Sequence, residues 1–119
     1  MSVTINARTV DGVTILDLSG RLTLGDATAQ FRERVRAEAE KNPRILLNVG
    51  GVGYMDSAGL GEMVGAHASI TARGGQLKLL NAQQKLRDLL QITRLYTIFE
   101  SFDDEATALR SYTKAAAGA

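Results

Sequence analysis

Short apolar segments typical of β-strands alternate along this chain with longer segments whose apolar residues recur at helical spacing. The most apolar short segment, residues 45–49 (ILLNV), is typical of a strand that is buried on both faces. Amphipathic helices are predicted at residues 26–42 and from Asp56 or Ser57 to about Ala72. This alternation predicts an α/β fold, because parallel strands need a long, usually helical, crossover between them.

The predicted order of elements is β-β-α-β-α-β-α-β-α. Asp11-Gly12 predicts a hairpin between the first two strands, which makes the sheet mixed. We therefore expect a mixed, largely parallel sheet of about four to five strands, flanked by about four helices. One domain is expected at residues 1–114, followed by a disordered tail at residues 115–119. Other predicted segments are a flexible loop at residues 50–53 (GGVG), strands at 76–80 and 97–100, and helices at 83–91 and after Asp103-Asp104.

Charge and residue counts narrow the classes of function. The 14 Lys and Arg residues nearly balance the 13 Asp and Glu residues, which argues against direct binding to nucleic acid. The chain has no Cys and one His, so a metal site or cofactor is not expected. No secretory signal is visible, and no apolar run approaches the roughly 20 residues of a membrane span. We expect a cytoplasmic protein that is a monomer or weak dimer.

The most informative segment is residues 54–61 (YMDSAGLG), which joins the apolar strand to the longest helix. Ser57 is predicted to lie at the helix N-terminus, where backbone N–H groups of Ala58, Gly59 and Leu60 could face a phosphate. Gly59 and Gly61 are expected to keep this surface free of side chains, so that a partner can approach closely. The alternative interpretation is that Asp56 and Ser57 only cap the helix, which is the commoner role of such residues.

Two other functions are less well supported by the residues. Ser57 and His67 lie on one predicted helix, roughly 15 Å apart along its axis, so they cannot form a nucleophile–base pair. We therefore expect a protein that is not an enzyme. Residues 50–53 are rich in glycine and could approach a nucleotide, but they lack the Gly-Lys-Ser/Thr ending of a phosphate-binding loop.

The segment DSAGLG after an apolar strand resembles the signature of STAS domains, and more narrowly that of stand-alone anti-sigma factor antagonists, or anti-anti-sigma factors. Further segments resemble later landmarks of that family, so the resemblance covers nearly the whole chain. These segments are GRL at 20–22, GGQLKL at 74–79, LQITRL at 90–95, and IFE at 98–100 with the acidic residues that follow.

The resemblance implies a bacterial phosphoprotein that regulates transcription by switching partners. In that family an anti-sigma factor, an ATP-dependent serine kinase, phosphorylates the serine at the position of Ser57. The unmodified protein binds the kinase and frees the sigma factor, whereas the phosphorylated protein dissociates until a phosphatase resets it. The resemblance places Asp56, Ala58, Gly59, Leu60 and Gly61 at the partner surface with Ser57.

Two positions depart from the family pattern. Many relatives carry an acidic residue where this chain has Thr23, and Asp26 is the nearest acidic substitute; both are therefore predicted partner-binding residues. Many relatives also carry Asp where this chain has Asn48. An alternative role for a STAS domain is that of a protein-binding scaffold in a lipid-transport or stress-signalling assembly.

Overall fold

A five-stranded mixed sheet forms the centre of the protein. The computed structural model describes the backbone of residues 3–117 and the side chains of residues 3–112. The first strand is antiparallel to the second, and every other neighbouring pair is parallel. The strands lie in the sheet in their order along the chain: β1 (Val3–Val10), β2 (Val13–Leu22), β3 (Arg44–Met55), β4 (Gln76–Leu80) and β5 (Ser101–Phe102).

Helices cover both faces of this sheet. Three of them pack into one large apolar core, and the last packs into a smaller core on the opposite face. This arrangement confirms the predicted mixed α/β sheet flanked by helices. The helices are α1 (Asp26–Lys41), α2 (Ser57–Ala72), α3 (Gln84–Thr93) and α4 (Glu105–Ala117), with a short 3-10 helix at Leu95–Thr97.

The second strand divides the two cores. Leu16 and Leu18 point into the large core, whereas Val13 and Ile15 point into the smaller one. Successive side chains of a strand point to opposite faces, so a strand that carries large apolar side chains on both faces must be covered on both. Burying each such side chain contributes about 1.5–3 kcal/mol, which makes β2 a central anchor of the fold.

The turns predicted at Asp11-Gly12 and after the second helix are confirmed. Asp11 and Gly12 have φ values of 52° and 77°, and Val10 pairs with Val13 across this two-residue hairpin. The second helix ends at Ala72, and Gly74 follows the C-cap residue Arg73 with φ of 79°, a left-handed conformation that glycine adopts without a steric cost.

The prediction of a flexible loop at residues 50–53 is wrong, because β3 continues through these residues to Met55. The pairing of β3 with β2 shifts register twice here, so the glycines belong to an irregular strand. A Cβ atom on Gly51 would lie 2.7 Å from the carbonyl oxygen of Leu18, which explains why this position is glycine. The interpretation of residues 50–53 as a nucleotide-binding loop therefore loses its basis.

The last strand was also predicted in the wrong place. Arg94 ends α3 in the left-handed conformation, with φ of 63°, and the chain then forms the short 3-10 helix. Only Ser101–Phe102 pairs with β4. The helix α4 runs into the segment predicted as a tail, and residues 118–119 lie outside the described residues, so the domain boundary stays a prediction.

Candidate functional site

The strands β2 and β3 end side by side, and this determines where Ser57 lies. Leu22 pairs with Met55 at the end of the parallel ladder. The chain then leaves β2 through residues 23–25 into α1, and leaves β3 through Asp56 into α2. Two loops at the carboxyl ends of neighbouring parallel strands meet here, which is where sites form in open α/β sheets.

Asp56 ties these two loops together. Its Oδ2 accepts a hydrogen bond from the backbone N–H of Leu24 at 3.0 Å, and its Oδ1 accepts one from Gly59 at 2.9 Å. Asp56 is thus the N-cap of α2. These two backbone donors, Leu24 first and Gly59 second, lower the pKa of the Asp56 carboxyl group below its ordinary value. The carboxylate is therefore ionised at neutral pH.

Two of the three backbone N–H groups predicted to face a phosphate are already occupied. The N–H of Gly59 donates to the Asp56 side chain, and the N–H of Leu60 donates to the Asp56 carbonyl oxygen at 3.0 Å. The prediction that both were free is wrong, because the aspartate before the helix already fills the cap position. A phosphate on Ser57 would thus lie beside an ionised carboxylate with fewer free donors than the sequence indicated.

Ser57 is exposed at the first residue of α2. Within residues 3–112 its hydroxyl group makes no hydrogen bond. The side chain is therefore accessible to a partner, and its role is distinct from that of Asp56, which carries the cap.

The glycines after Ser57 have different roles. A Cβ atom on Gly59 would lie 2.2 Å from the carbonyl oxygen of Leu22, so this glycine lets α2 approach the end of β2 closely. Gly61 is exposed, and a Cβ atom there would meet nothing within 4 Å. Gly59 and Leu60 are buried and Ala58 is half-buried, so only Gly61 fits the expectation of a bare, accessible surface.

The other two predicted partner-binding residues lie in and after the loop that Asp56 holds. Thr23 is half-buried directly before Leu24, and Asp26 is exposed at the first residue of α1. Among the described residues, the Asp26 side chain makes no hydrogen bond or ion pair. Its placement fits a surface role, and the hydrogen bond between Leu24 and Asp56 brings this loop against the start of α2.

Sequence reasoning missed two exposed apolar side chains beside this site. Leu24 is 79% exposed, and Tyr54 is 45% exposed with the guanidinium carbon of Arg21 4.7 Å from its ring centre. A large apolar residue in a short loop between turn residues was the available signal for Leu24. We use the name switch surface for the set of residues Arg21, Thr23, Leu24, Tyr54, Ser57 and Gly61.

Asn48 and His67, the other polar residues of interest, take part in packing. Asn48 donates to Asp17 at 2.8 Å and accepts from the backbone N–H of Gly50 at 3.1 Å, which links neighbouring strands. An aspartate there would face the Asp17 carboxylate, so this departure from the family pattern has a structural reason. The His67 ring packs edge-on against Phe99, with ring centres 5.2 Å apart.

Neither a metal-binding cluster nor a membrane-spanning helix is present in the part of the chain that the structure describes. No group of three or more His, Asp or Glu side chains there could hold a metal ion. No helix there has the length and apolar character needed to cross a membrane.

Comparison with known proteins gives consistent matches over most of the chain. The family model described as the STAS domain matches residues 4–108. An anti-sigma F factor antagonist of Paenibacillus polymyxa is 31% identical over 82% of this chain and 85% of its own length. The anti-sigma-B factor antagonist of Bacillus subtilis is 29% identical over 84% of this chain and 91% of its own length.

A solved structure gives the same result. A Thermotoga maritima protein described as an anti-sigma factor antagonist superposes with a TM-score of 0.83. It is 27% identical to this chain, and the match covers 90% of this chain and 92% of the other.

Proposed function

This chain belongs to the STAS domain family and, within it, to the anti-sigma factor antagonists, and from that membership we propose that it is a binding protein whose partner affinity is controlled by phosphorylation of Ser57. Unmodified, it binds an anti-sigma factor that is also an ATP-dependent serine kinase, and the sigma factor is released. A cognate phosphatase removes the phosphate and restores binding. The protein itself catalyses no reaction and acts in the cytoplasm.

The observation that carries this proposal is the position of Ser57. It is exposed at the first residue of α2, and its neighbour Asp56 already makes the capping hydrogen bond. A serine that is not needed as a cap can be modified without unfolding the helix. In the transfer step, Ser57 Oγ attacks the γ-phosphorus of ATP, the bond to the ADP oxygen breaks, and the hydroxyl proton passes to a base of the kinase.

Charge explains how one phosphate could weaken binding. A phosphoserine carries roughly −1.5 to −2 charges at pH 7. Because the Asp56 carboxylate is ionised and its hydrogen bonds to Leu24 and Gly59 hold it in place, it cannot move away from this new charge. In a closed interface the two like charges would also lose their water, which raises the cost further.

The switch surface offers a site for the partner. Leu24 and Tyr54 are large apolar side chains whose exposure is otherwise unexplained by the packing. Interfaces obtain most of their binding energy from a few such aromatic or aliphatic anchors, surrounded by polar residues. An apolar anchor next to a phosphate acceptor would let one partner both hold and modify the protein.

The test is a phosphorylation assay with a candidate anti-sigma factor serine kinase from the same genome. The protein is incubated with ATP and that kinase, and intact mass and peptide mapping locate the product. We expect one phosphate on Ser57, absent from Ser57→Ala. Ser69→Ala is the matched control, because Ser69 is also exposed on α2 but lies three turns further along.

Two outcomes would contradict the proposal. Tight binding without phosphorylation would indicate a constitutive scaffold. Neither binding nor phosphorylation would favour the alternative role as a STAS subunit of a lipid-transport or stress-signalling assembly.

A further inference from the structure

A groove between α1 and α2 lies apart from the switch surface. It has a volume of about 210 Å³, and its floor includes the buried side chains of Val35 and Ile70, which are 3% and 2% exposed. Gly65 lies in its wall, and a Cβ atom there would meet nothing within 4 Å. The small residues of α2 thus leave an apolar depression open to solvent between two packed helices.

The rim of this groove is basic. Arg32, Arg36 and Arg73 line it, against a single acidic residue, Glu62. Arg32 forms a two-pronged ion pair with Glu62, whose closest N–O distance is 2.7 Å. Within residues 3–112, the side chains of Arg36 and Arg73 make no hydrogen bond or ion pair, although the charge of Arg36 helps Arg32 to lower the pKa of the Glu62 carboxyl group. Three guanidinium groups therefore share one carboxylate at this groove, which leaves its rim with a net positive charge.

Ordinary structural roles account for only part of this arrangement. Arg73 is the C-cap residue of α2, where a positive charge interacts favourably with the helix dipole. That reason does not apply to Arg36, which lies in the middle of α1.

We propose that this groove is a binding site for a small anionic amphiphile, a molecule with a carboxylate head group and an apolar body. Arg36 and Arg73 pair with the carboxylate, for which the planar guanidinium group is well suited. The apolar body lies against Gly65 and Ala66, next to the nearly buried side chains of Val35 and Ile70. The Arg32–Glu62 pair crosses from α1 to α2 at the end of the groove nearer Ser57, and the groove shares no lining residue with the switch surface.

The size of the groove favours a small ligand over a protein segment. Its lining on α2 extends from Glu62 to Arg73, which is roughly 16 Å of helix at 1.5 Å per residue. Its volume is somewhat below the range of about 300–1,000 Å³ that is typical of drug-sized ligands. A short alkyl chain with one carboxylate fits this space better than a partner helix does.

The test is a titration of the isotope-labelled protein with decanoate, followed by amide chemical shifts. Decanoate should give saturable shifts concentrated in residues 35–39 and 65–73. Decyltrimethylammonium, which has the same tail with a positive head, and succinate, which has carboxylates without a tail, should bind at least tenfold more weakly. Equal binding of decyltrimethylammonium, or shifts concentrated outside residues 32–39 and 62–73, would overturn the proposal.

Variants test the two parts of the site separately. Arg36→Gln with Arg73→Gln should weaken decanoate binding at least tenfold, because the head group loses both charged partners. Gly65→Leu should block the groove, and helix propensity favours leucine over glycine, so the fold should be kept. Ala68→Leu is the matched control, because Ala68 is exposed on the same helix and does not line the groove.

The spectra of all variants show directly whether each one is folded. Unchanged decanoate binding by folded Gly65→Leu would contradict the site. Saturation by an acidic peptide with an apolar anchor, but not by decanoate, would overturn the small-molecule assignment in favour of protein docking.

Discussion

The carboxylate of Asp56 accepts a hydrogen bond from the backbone N–H of Leu24 at 3.0 Å, and this joins the loop after β2 to the first turn of α2. The two residues are 32 positions apart in the chain. Because the same carboxylate also caps α2 through Gly59, one side chain positions both halves of the switch surface. The order of this surface should therefore depend on Asp56 more than on Ser57.

Replacing Asp56 with alanine should loosen this loop and the start of α2 together. The N–H groups of Leu24 and Gly59 would both lose their acceptor, so amide hydrogen exchange at both should accelerate and the urea midpoint should fall. Asp26→Ala is the control, because Asp26 also lies at a helix start and makes no side-chain hydrogen bond among the described residues. Unchanged hydrogen exchange at the Leu24 amide in Asp56→Ala would contradict the role assigned to the hydrogen bond between Leu24 and Asp56.

The two glycines that follow Ser57 should respond oppositely to alanine. Gly59→Ala should lower the free energy of unfolding by about 1–3 kcal/mol, because its Cβ atom would collide with the Leu22 carbonyl oxygen. Gly61→Ala should leave it unchanged or raise it by up to about 1 kcal/mol, since alanine favours helix and the space is open. Urea unfolding measures both, and equal effects of the two variants would refute the distinction.

The fold was predictable because its signals are local. Apolar runs, the Asp11-Gly12 turn and the glycines at residues 74–75 each determine the nearby backbone, and together they predicted the order of strands and helices. The errors lie where pairing with distant residues decides the structure. Residues 50–53 have the composition of a loop, and they form a strand because β2 offers a partner ladder.

The site was predictable in position and less so in detail. The strand-to-helix junction placed Ser57 correctly at the start of α2. The occupied N–H groups of Gly59 and Leu60 depend on which side chain caps the helix, and two adjacent cap residues left that open. The contact between Leu24 and Asp56 is a tertiary hydrogen bond between distant residues, and no local pattern indicates it.

Leu24 should contribute to partner binding and little to stability. Leu24→Ser should weaken binding to the kinase at least fivefold, about 1 kcal/mol or more, if this side chain is an interface anchor. Its 79% exposure predicts no more than about 0.5 kcal/mol of change in unfolding free energy. The control is Ile92→Ser, because Ile92 is 80% exposed at the end of α3 and outside the switch surface. Calorimetric titration with the kinase should show a loss of affinity for Leu24→Ser and none for Ile92→Ser. Equal losses of affinity in the two variants would contradict the role of Leu24 as an interface anchor.

Arg8 should make stability depend on pH through two carboxylates. It pairs with Asp17 on β2 and Glu105 on α4, each at 2.7 Å, and these contacts lower the pKa of both carboxyl groups. A pKa that is lower in the folded state gives stability that is present above the unfolded pKa, about 4, and is lost as pH falls through the folded value.

Arg8→Gln should therefore lower the free energy of unfolding most at neutral pH. The loss at pH 7 should be about 1 kcal/mol or less, because these groups are partly exposed and screened by solvent. The difference from the original protein should shrink as pH falls from 5 toward the lowered pKa values. Urea unfolding across this pH range measures the difference in free energy of unfolding between Arg8→Gln and the original protein. The control is Lys85→Gln, because Lys85 is exposed on α3 and forms no part of this ion-pair cluster. A difference that stays constant with pH would be inconsistent with this account.

The most direct test of the central claim is the affinity of the purified Ser57-phosphorylated protein for its kinase, measured by calorimetry beside the unmodified protein. A penalty of about 3 kcal/mol from crowding the phosphate against the Asp56 carboxylate predicts binding weaker by roughly a hundredfold. Unfolding measurements on both forms should show that the fold is kept. Equal affinity of the two folded forms would contradict the account, because phosphorylation at Ser57 would then switch nothing.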